Sequence, residues 1–220
     1  MAAVTQNSIP EKTIERLSEY RRSLLSCLNQ GITHIFSHVM ADMHNITAVQ
    51  VRRDLMLIGF SSDTKKGYDV KVLIEYISSI LDSEEVMNVA VIGMGRLGQA
   101  ITSFFKGKRR QLRIIAAFDI DPNKVGMTID DIPCYHLDQL KEIAQQMNIS
   151  IAIISSPADV APSLVEPIVD AGIRGVLNFT SAPLHFPHDI VIENDDITTI
   201  LEKVAYYVKE HDKLNATDKK

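Results

Sequence analysis

The chain reads as an α/β protein in two parts, an N-terminal winged helix-turn-helix domain and a C-terminal Rossmann domain that ends in a dimerisation helix. Three observations predict this. Residues 1–82 carry apolar residues at helical spacing and few strand-like runs. From Val86 onward, short apolar strands alternate with amphipathic helices, the pattern of a parallel α/β sheet. A glycine-rich turn, Gly93-Met94-Gly95-Arg96-Leu97-Gly98, joins the first of those strands to the first of those helices. The spacing divides the chain into residues 1–82, 86–196 and a terminal helix over 197–212, with the polar linker Asp82-Ser83-Glu84-Glu85 between the first two.

Pro10 and Glu11 suit the first turn of a helix. Ile14, Leu17, Leu24, Leu25 and Leu28 then recur at helical spacing, and Gly31 is placed to end the run. Ser37 is the expected cap of a short second helix carrying Val39, Met40 and Met43, closed by His44-Asn45. Thr47-Ala48-Val49-Gln50 matches a capping box, in which the Thr hydroxyl accepts from the third helical amide and the Gln reaches back to the Thr amide. The third helix then runs from Ala48 to Leu57, with Ala48, Val51, Leu55 and Ile58 on one face. Gln50, Arg53 and Leu57 lie on another, flanked by Arg52 and Met56. Two short helices joined by a tight turn, the second basic near its start, describe a helix-turn-helix. Lys65-Lys66-Gly67 suits the tip of a β-hairpin wing, and Val72, Leu73, Ile77, Ile80 and Leu81 a fourth helix.

In the second part, strands are expected over 87–93, 112–119, 150–155, 175–180 and 189–193, and helices over 97–106, 137–147 and 158–171. The first and fourth strands are near-continuous apolar runs, as expected when both sheet faces are covered. Ile197, Ile200, Leu201, Val204 and Tyr207 form an apolar stripe on the last helix. Such a stripe suits a dimer interface or packing on the helix's own Rossmann core.

Net charge is −5, which argues against a protein that coats nucleic acid indiscriminately. Residues 1–82 are neutral, with nine basic and nine acidic residues, and can still bind DNA if the basic groups share a face. No run reaches the roughly 20 apolar residues that a membrane-spanning helix needs. The N-terminus lacks the features of a secretory signal, so a cytoplasmic protein is expected. Cys27 and Cys134 are far apart and read as small structural thiols, and the seven histidines form no metal-ligand pattern.

The glycine motif has its full context: buried strand before it, helix after it, and Asp119 at the end of the second strand, 21 residues beyond Gly98. Gly93 permits the turn, Gly95 lets backbone approach a pyrophosphate, and Gly98 lets helix and strand meet closely. Amides of the 93–98 loop, including those of Met94 and Leu97, face the phosphates at a helix N-terminus, where Arg96 adds charge or is simply solvated. Asp119 would accept from the adenine ribose diol and repel a 2′-phosphate, which favours NAD(H) over its phosphorylated form. Ser155 and Pro157 after the third main strand, and Asn178 at the end of the fourth, are candidate contacts on the nicotinamide side.

Beyond the Rossmann unit there is too little chain for a substrate domain, and no acid–base pair stands out. His185 and His188 read as surface-loop residues. With no catalytic group assigned, the parts suit a ligand-sensing repressor. The alternatives are a small NAD-dependent oxidoreductase with a helical N-terminal dimerisation domain, and a nucleotide-dependent structural partner without DNA affinity.

Further residues carry a family resemblance: Ile9-Pro10, Arg16-Leu17, Tyr20, Gln50-Val51-Arg52-Arg53-Asp54-Leu55, Gly67-Tyr68, the run 91–98, Phe118-Asp119-Ile120-Asp121-Pro122, Lys124-Val125-Gly126, Asn178-Phe179 and Glu193-Asn194. Over almost its whole length the chain resembles the redox-sensing transcriptional repressor Rex family. The resemblance implies a homodimer whose last helix is swapped between protomers. It also implies binding to double-stranded operator DNA with an inverted repeat, and release when NADH replaces NAD⁺. Gln50, Arg52 and Arg53 are the expected major-groove residues, with Lys65 and Lys66 in the wing. The family's redox switch aligns with Arg22, Phe104 and Asp196, the arginine competing for the aspartate. Two departures stand out. Met56-Leu57 replace the Ser-Tyr common after the Asp-Leu of the recognition helix, and Phe104 and Ile197 replace a tyrosine and a phenylalanine of the switch. The loss of the tyrosine hydroxyl implies altered redox discrimination or a different contact in the NAD⁺ state.

Overall fold

A computed structural model describes residues 9–61, 66–105 and 111–217, with side chains through residue 213. It divides into two compact units at Glu84/Glu85.

In the first unit, helix α1 (Glu11–Asn29) follows Pro10, which stands just before the helix. Gly31 at φ +80° ends it. The amides of Gly31 and Ile32 there return to the carbonyls of Leu28 and Cys27. The buried face of α1 is Thr13, Leu17, Tyr20, Arg21, Leu24 and Cys27. Ile14, Leu25 and Leu28 are exposed, so the apolar spacing located the helix but not its inner face. The inner face is set by Tyr20 and by polar groups that have partners. Strand β1 (His34–Ile35) precedes helix α2 (Ser37–Met43). Phe36, not Ser37, occupies the cap position of α2. The Ser37 hydroxyl instead accepts from Arg52 Nη1 at 3.1 Å. Only Met40 and Ala41 of α2 are buried, while Val39 and Met43 face outward.

Asn45, at φ 52°, turns the chain into α3 (Ala48–Leu57). Thr47 caps α3 by accepting from the Gln50 amide at 3.1 Å. The reciprocal half of the expected capping box is absent, because the Gln50 side chain turns one helical turn onward and donates to Asp54 Oδ1 at 2.9 Å. A buried carboxylate is the stronger acceptor. Strand β2 (Tyr68–Asp69) pairs antiparallel with β1, so its partner lies before α2 and not in an adjacent hairpin arm. Lys65 lies outside the described residues, and Lys66 is exposed. Gly67 is required at that junction: it has φ +83°, and a Cβ there would meet the Ile35 carbonyl oxygen at 2.7 Å. Helix α4 (Val70–Leu81), capped by Asp69, buries Val70, Leu73 and Ile77 and leaves Val72 exposed.

The hub of this unit is Asp54, whose side chain is 0% exposed. Arg16 grips it with Nε at 2.7 Å and Nη2 at 2.7 Å. The Tyr20 hydroxyl donates at 2.8 Å, and Gln50 and Thr13 add further bonds. Burial alone would push the Asp54 carboxyl up, but the donors from Arg16, Tyr20 and Gln50 outweigh it and hold it below its ordinary range. The hub locks α3 to α1.

The second unit is a parallel sheet in the order β6-β4-β3-β7-β8-β9, with strands β3 (Met87–Ile92), β4 (Leu112–Asp119), β6 (Ile132–His136), β7 (Ile149–Ile154), β8 (Gly175–Asn178) and β9 (Val191–Asn194). This is the doubly wound dinucleotide-binding order. Strand β5 (Thr128–Ile129) adds an antiparallel edge through a turn at Asp130-Asp131, both at positive φ. The spacing does not foretell β5, which has two residues, or β6, which contains Pro133. Val89 to Ile92 are buried throughout, as the apolar run of β3 required. In β8, burial alternates, with Val176 and Asn178 inside. Helix α5 (Arg96–Phe105) follows the glycine turn. The other two helical stretches each begin as a 3₁₀ turn, at Leu137–Gln139 before α6 (Leu140–Gln146) and at Ala161–Leu164 before α7 (Val165–Asp170). Helix α8 (Ile197–Thr217) keeps Ile197, Ile200, Leu201, Val204, Tyr207 and Val208 exposed, so its stripe does not pack on its own core.

Asp54→Ala leaves a buried Tyr20 hydroxyl and a part-buried Arg16 guanidinium without their acceptor, at an expected cost of about 3 kcal/mol. Faster hydrogen exchange across the α1 and α3 amides of the full chain checks it. Because the folded carboxyl is depressed, its stabilisation is complete above the unfolded value. The first unit should therefore lose stability as pH falls below about 4, and Asp54→Ala should flatten that loss in acid titrations followed by circular dichroism.

Candidate functional site

The first site lies where β3 and β7 part, the crevice at which a doubly wound sheet takes its ligand. The glycines of the β3–α5 turn answer to different contacts. Gly93 has φ +96°, and a Cβ on it would meet the Ser156 amide at 2.8 Å. A Cβ on Gly98 would overlap the Gly93 carbonyl oxygen and come within 2.9 Å of Ser155 Oγ. At Gly95 there is nothing within 4 Å. The turn is thus packed tightly from beneath and open above Gly95, as a phosphate cradle requires.

Ser155 braces this turn, its hydroxyl donating to the Gly93 carbonyl at 2.8 Å. Beside it the Ser156 Oγ is buried without a hydrogen-bond partner. Such an atom is costly unless a ligand group completes it. Pro157, Arg96 and Leu97 are exposed, and the Met94 side chain is fully buried, so Met94 serves the loop through its backbone.

Asp119 ends β4 with a nearly enclosed carboxylate. Oδ2 accepts from the Met94 amide at 2.8 Å and Lys124 Nζ at 2.9 Å, and Oδ1 accepts from the Asp121 amide at 2.9 Å. Burial acts to raise its pKa, but the Asp121 amide, Lys124 and the Met94 amide outweigh it and hold it below the ordinary carboxylate value. The carboxylate therefore stays ionised, and Oδ1 keeps room for a ribose hydroxyl. Lys124 carries no glycine-motif signal, but it was visible in the sequence as the residue after Asp119-Ile120-Asp121-Pro122-Asn123. Asn178 is buried, with Nδ2 donating to Ala182 O and Asn194 Oδ1 and Oδ1 accepting from the Thr180 amide and hydroxyl. Those bonds commit its side chain to shaping the β8 end. Open backbone above Gly95, an orphaned Ser156 hydroxyl and an ionised Asp119 together fit an adenine dinucleotide.

The second site is the outer face of α3. Arg52 and Arg53 are exposed there beside Val49, Met56 and Leu57. Gln50 is half-buried and occupied by Asp54. Sequence spacing missed the Asp54 hub, whose members are 34 and 38 residues apart in the Tyr20 and Arg16 pairs. Of the proposed switch residues, Arg22 is exposed on α1 and Phe104 is exposed on α5, edge-on to Phe105. Asp196 caps α8, accepting from the Thr198 amide at 3.0 Å and the Thr199 hydroxyl at 2.8 Å. Cys27 and Cys134 are buried and unpaired, and His185 and His188 are exposed. No group of three metal-ligating side chains occurs among the described residues. Among them, no helix is long and apolar enough to cross a membrane.

A family model described as "CoA binding domain" matches residues 84–182, and one described as "Putative DNA-binding protein N-terminus" matches residues 8–55. The chain is 35% identical over 203 residues to the redox-sensing transcriptional repressor Rex of Leuconostoc citreum, spanning 92% of this chain and 94% of that one. It is 34% identical to the Rex of Anoxybacillus flavithermus over 206 residues, 94% of this chain and 97% of the relative. Its fold is similar to that of RSP, a Rex-family repressor, in complex with beta-NAD⁺ and operator DNA: TM-score 0.86, 27% identity, 98% of this chain and 99% of that chain. RSP in complex with beta-NADH gives a TM-score of 0.84 at 28% identity, covering 94% and 98%.

Because Gly95 faces open space, Gly95→Ala should fold normally yet bind NADH at least about tenfold more weakly, roughly 1.4 kcal/mol. Gly98→Ala should lose both stability and binding. Thermal melts and calorimetric NADH titrations of the two variants separate these outcomes.

Proposed function

The chain belongs to the redox-sensing transcriptional repressor Rex family, and we propose that its two units act as an operator reader and an NAD(H) reader whose affinities are linked. The observation that carries this is the pairing, in one chain, of a built dinucleotide crevice with a helix-turn-helix whose second helix, α3, has a basic outer face free of carboxylates.

The protein binds operator DNA as a repressor and is released in response to NADH. The Gly93–Gly98 turn binds the pyrophosphate through backbone amides, with Arg96 beside it. Asp119, kept ionised, orients the adenine ribose and disfavours a 2′-phosphate. Ser155 and Pro157 line the nicotinamide side, with the Ser156 hydroxyl available to the ligand and Asn178 holding the neighbouring strand end. When bound, the nicotinamide supplies the signal, its oxidation state. The pocket acts as a sensor of the bound nucleotide.

On the DNA side, Arg52 and Arg53 enter the major groove, Gln50 sits at the edge of that contact, and Lys66, beside Gly67, contacts the phosphate backbone. The operator is an inverted repeat and the protein a cytoplasmic homodimer. The uncovered apolar stripe of α8 supports the dimer, since a surface of that kind is stable only when a partner buries it.

Linkage requires a contact made in one state only. We assign it to Arg22, Phe104 and Asp196. Asp196 holds the first turn of α8 with both carboxylate oxygens, so drawing it toward Arg22 would loosen the start of that helix. Phe104 has no hydroxyl to compete for Asp196, which leaves Arg22 as the polar rival. A shift from mostly bound to mostly free needs several kcal/mol of differential affinity.

Operator titrations with NAD⁺ and NADH in parallel should show release by NADH alone; equal weakening by both nucleotides would sink the redox reading. Arg53→Ala should cost about tenfold or more in operator affinity at matched salt. Arg22→Ala should keep NADH binding but blunt its effect on DNA, measured by anisotropy. Steady NADH turnover would instead favour an oxidoreductase.

A further inference from the structure

The outer face of α3 carries more apolar surface than a soluble helix needs. Val49, Arg52, Arg53 and Met56 fall on one face at helical spacing, with Leu57 adjoining. Val49 is 63% exposed, Met56 76% and Leu57 50%. None of the three contributes to the core of the first unit, which is already closed by Val51, Leu55 and Ile58 on the opposite side. No carboxylate stands on this stripe, since Asp54 points inward and is fully buried. Arg52 is tethered at one margin by its bond to the Ser37 hydroxyl. Two guanidiniums set among three free apolar side chains match a surface that is anionic overall yet studded with methyl groups.

The major groove of DNA is such a surface. Guanine offers acceptors to arginine, and the thymine C5-methyl is the one apolar group on a base edge there. We infer that Val49, Met56 and Leu57 read thymine methyl groups in the operator half-site, so that the base code of this protein is in part apolar. The inference rests on the DNA-binding reading above. It also gives a physical role to Met56-Leu57: a side chain without donors cannot hydrogen-bond a base edge, but it gains from covering a methyl that water would otherwise face.

The test exploits the difference between thymine and uracil, which is that methyl alone. A randomised duplex library, enriched by binding to the full-length protein with NAD⁺ present, supplies a preferred duplex. That duplex is then made twice, once with thymine and once with deoxyuridine at the half-site positions. Charge and base pairing are the same in both. The thymine duplex should bind about fourfold more tightly for each methyl in contact, the factor that corresponds to about 0.8 kcal/mol per buried carbon group. The slope of affinity against salt should not change, because the phosphate contacts are untouched. The three positions are exposed, so Val49→Ser with Met56→Ser and Leu57→Ser should fold normally and bind both duplexes alike. Equal binding of the two duplexes by the unsubstituted protein overturns the inference while leaving DNA binding intact. Failure to enrich any duplex overturns the DNA-binding reading itself.

Discussion

Asp54 is a full charge with no access to solvent, and the first unit is arranged around the need to satisfy it. Arg16 meets it with two parallel bonds, and Tyr20, Gln50 and Thr13 take up remaining lone pairs. A buried ion pair contributes little net stability compared with a packed apolar substitute, but breaking it is costly. Its effect is therefore one of register. Asp54 fixes how α3 lies on α1, and hence which residues of α3 remain outside. Arg52, Arg53, Val49, Met56 and Leu57 are presented outward because their inner neighbours are committed.

The second unit uses the same device. Asp119 is held by the Met94 amide, the Asp121 amide and Lys124, and so ties the tip of β4 to the glycine turn of β3. In both units an acidic side chain ties a candidate functional segment to its neighbour, and its depressed pKa keeps it an acceptor. The remaining tolerances are backbone tolerances. Gly93 and Gly98 exist because Ser156 and the turn's own carbonyl leave no space for a side chain. Above Gly95 the same turn meets open space.

The last helix obeys a different constraint. Its apolar stripe is uncovered, and at its start Asp196 accepts from the Thr198 amide and the Thr199 hydroxyl. A helix of this kind is defined by what it joins, and its first turn by a single carboxylate.

Much of this was legible in sequence. The glycine turn, Asp119, the Thr47 cap and the order of strands and helices are local signals, carried by residues a turn or a strand apart. The stripe on α8 was legible as well, because periodicity reports an apolar face whether or not it is covered. Less visible were the inner face of α1, the pairing of β2 with β1 in place of a hairpin, the short strands β5 and β6, and the commitments of Gln50, Ser37 and Asn178. Each of these depends on a partner distant in the chain, and a polar side chain's spacing does not reveal whom it will bond. The sequence by itself determined that there is a dinucleotide turn and a basic helix. Only the tertiary structure decided which side chains are spent on holding them, because a buried charge selects its donors by proximity in space, and proximity in space is not written in local spacing.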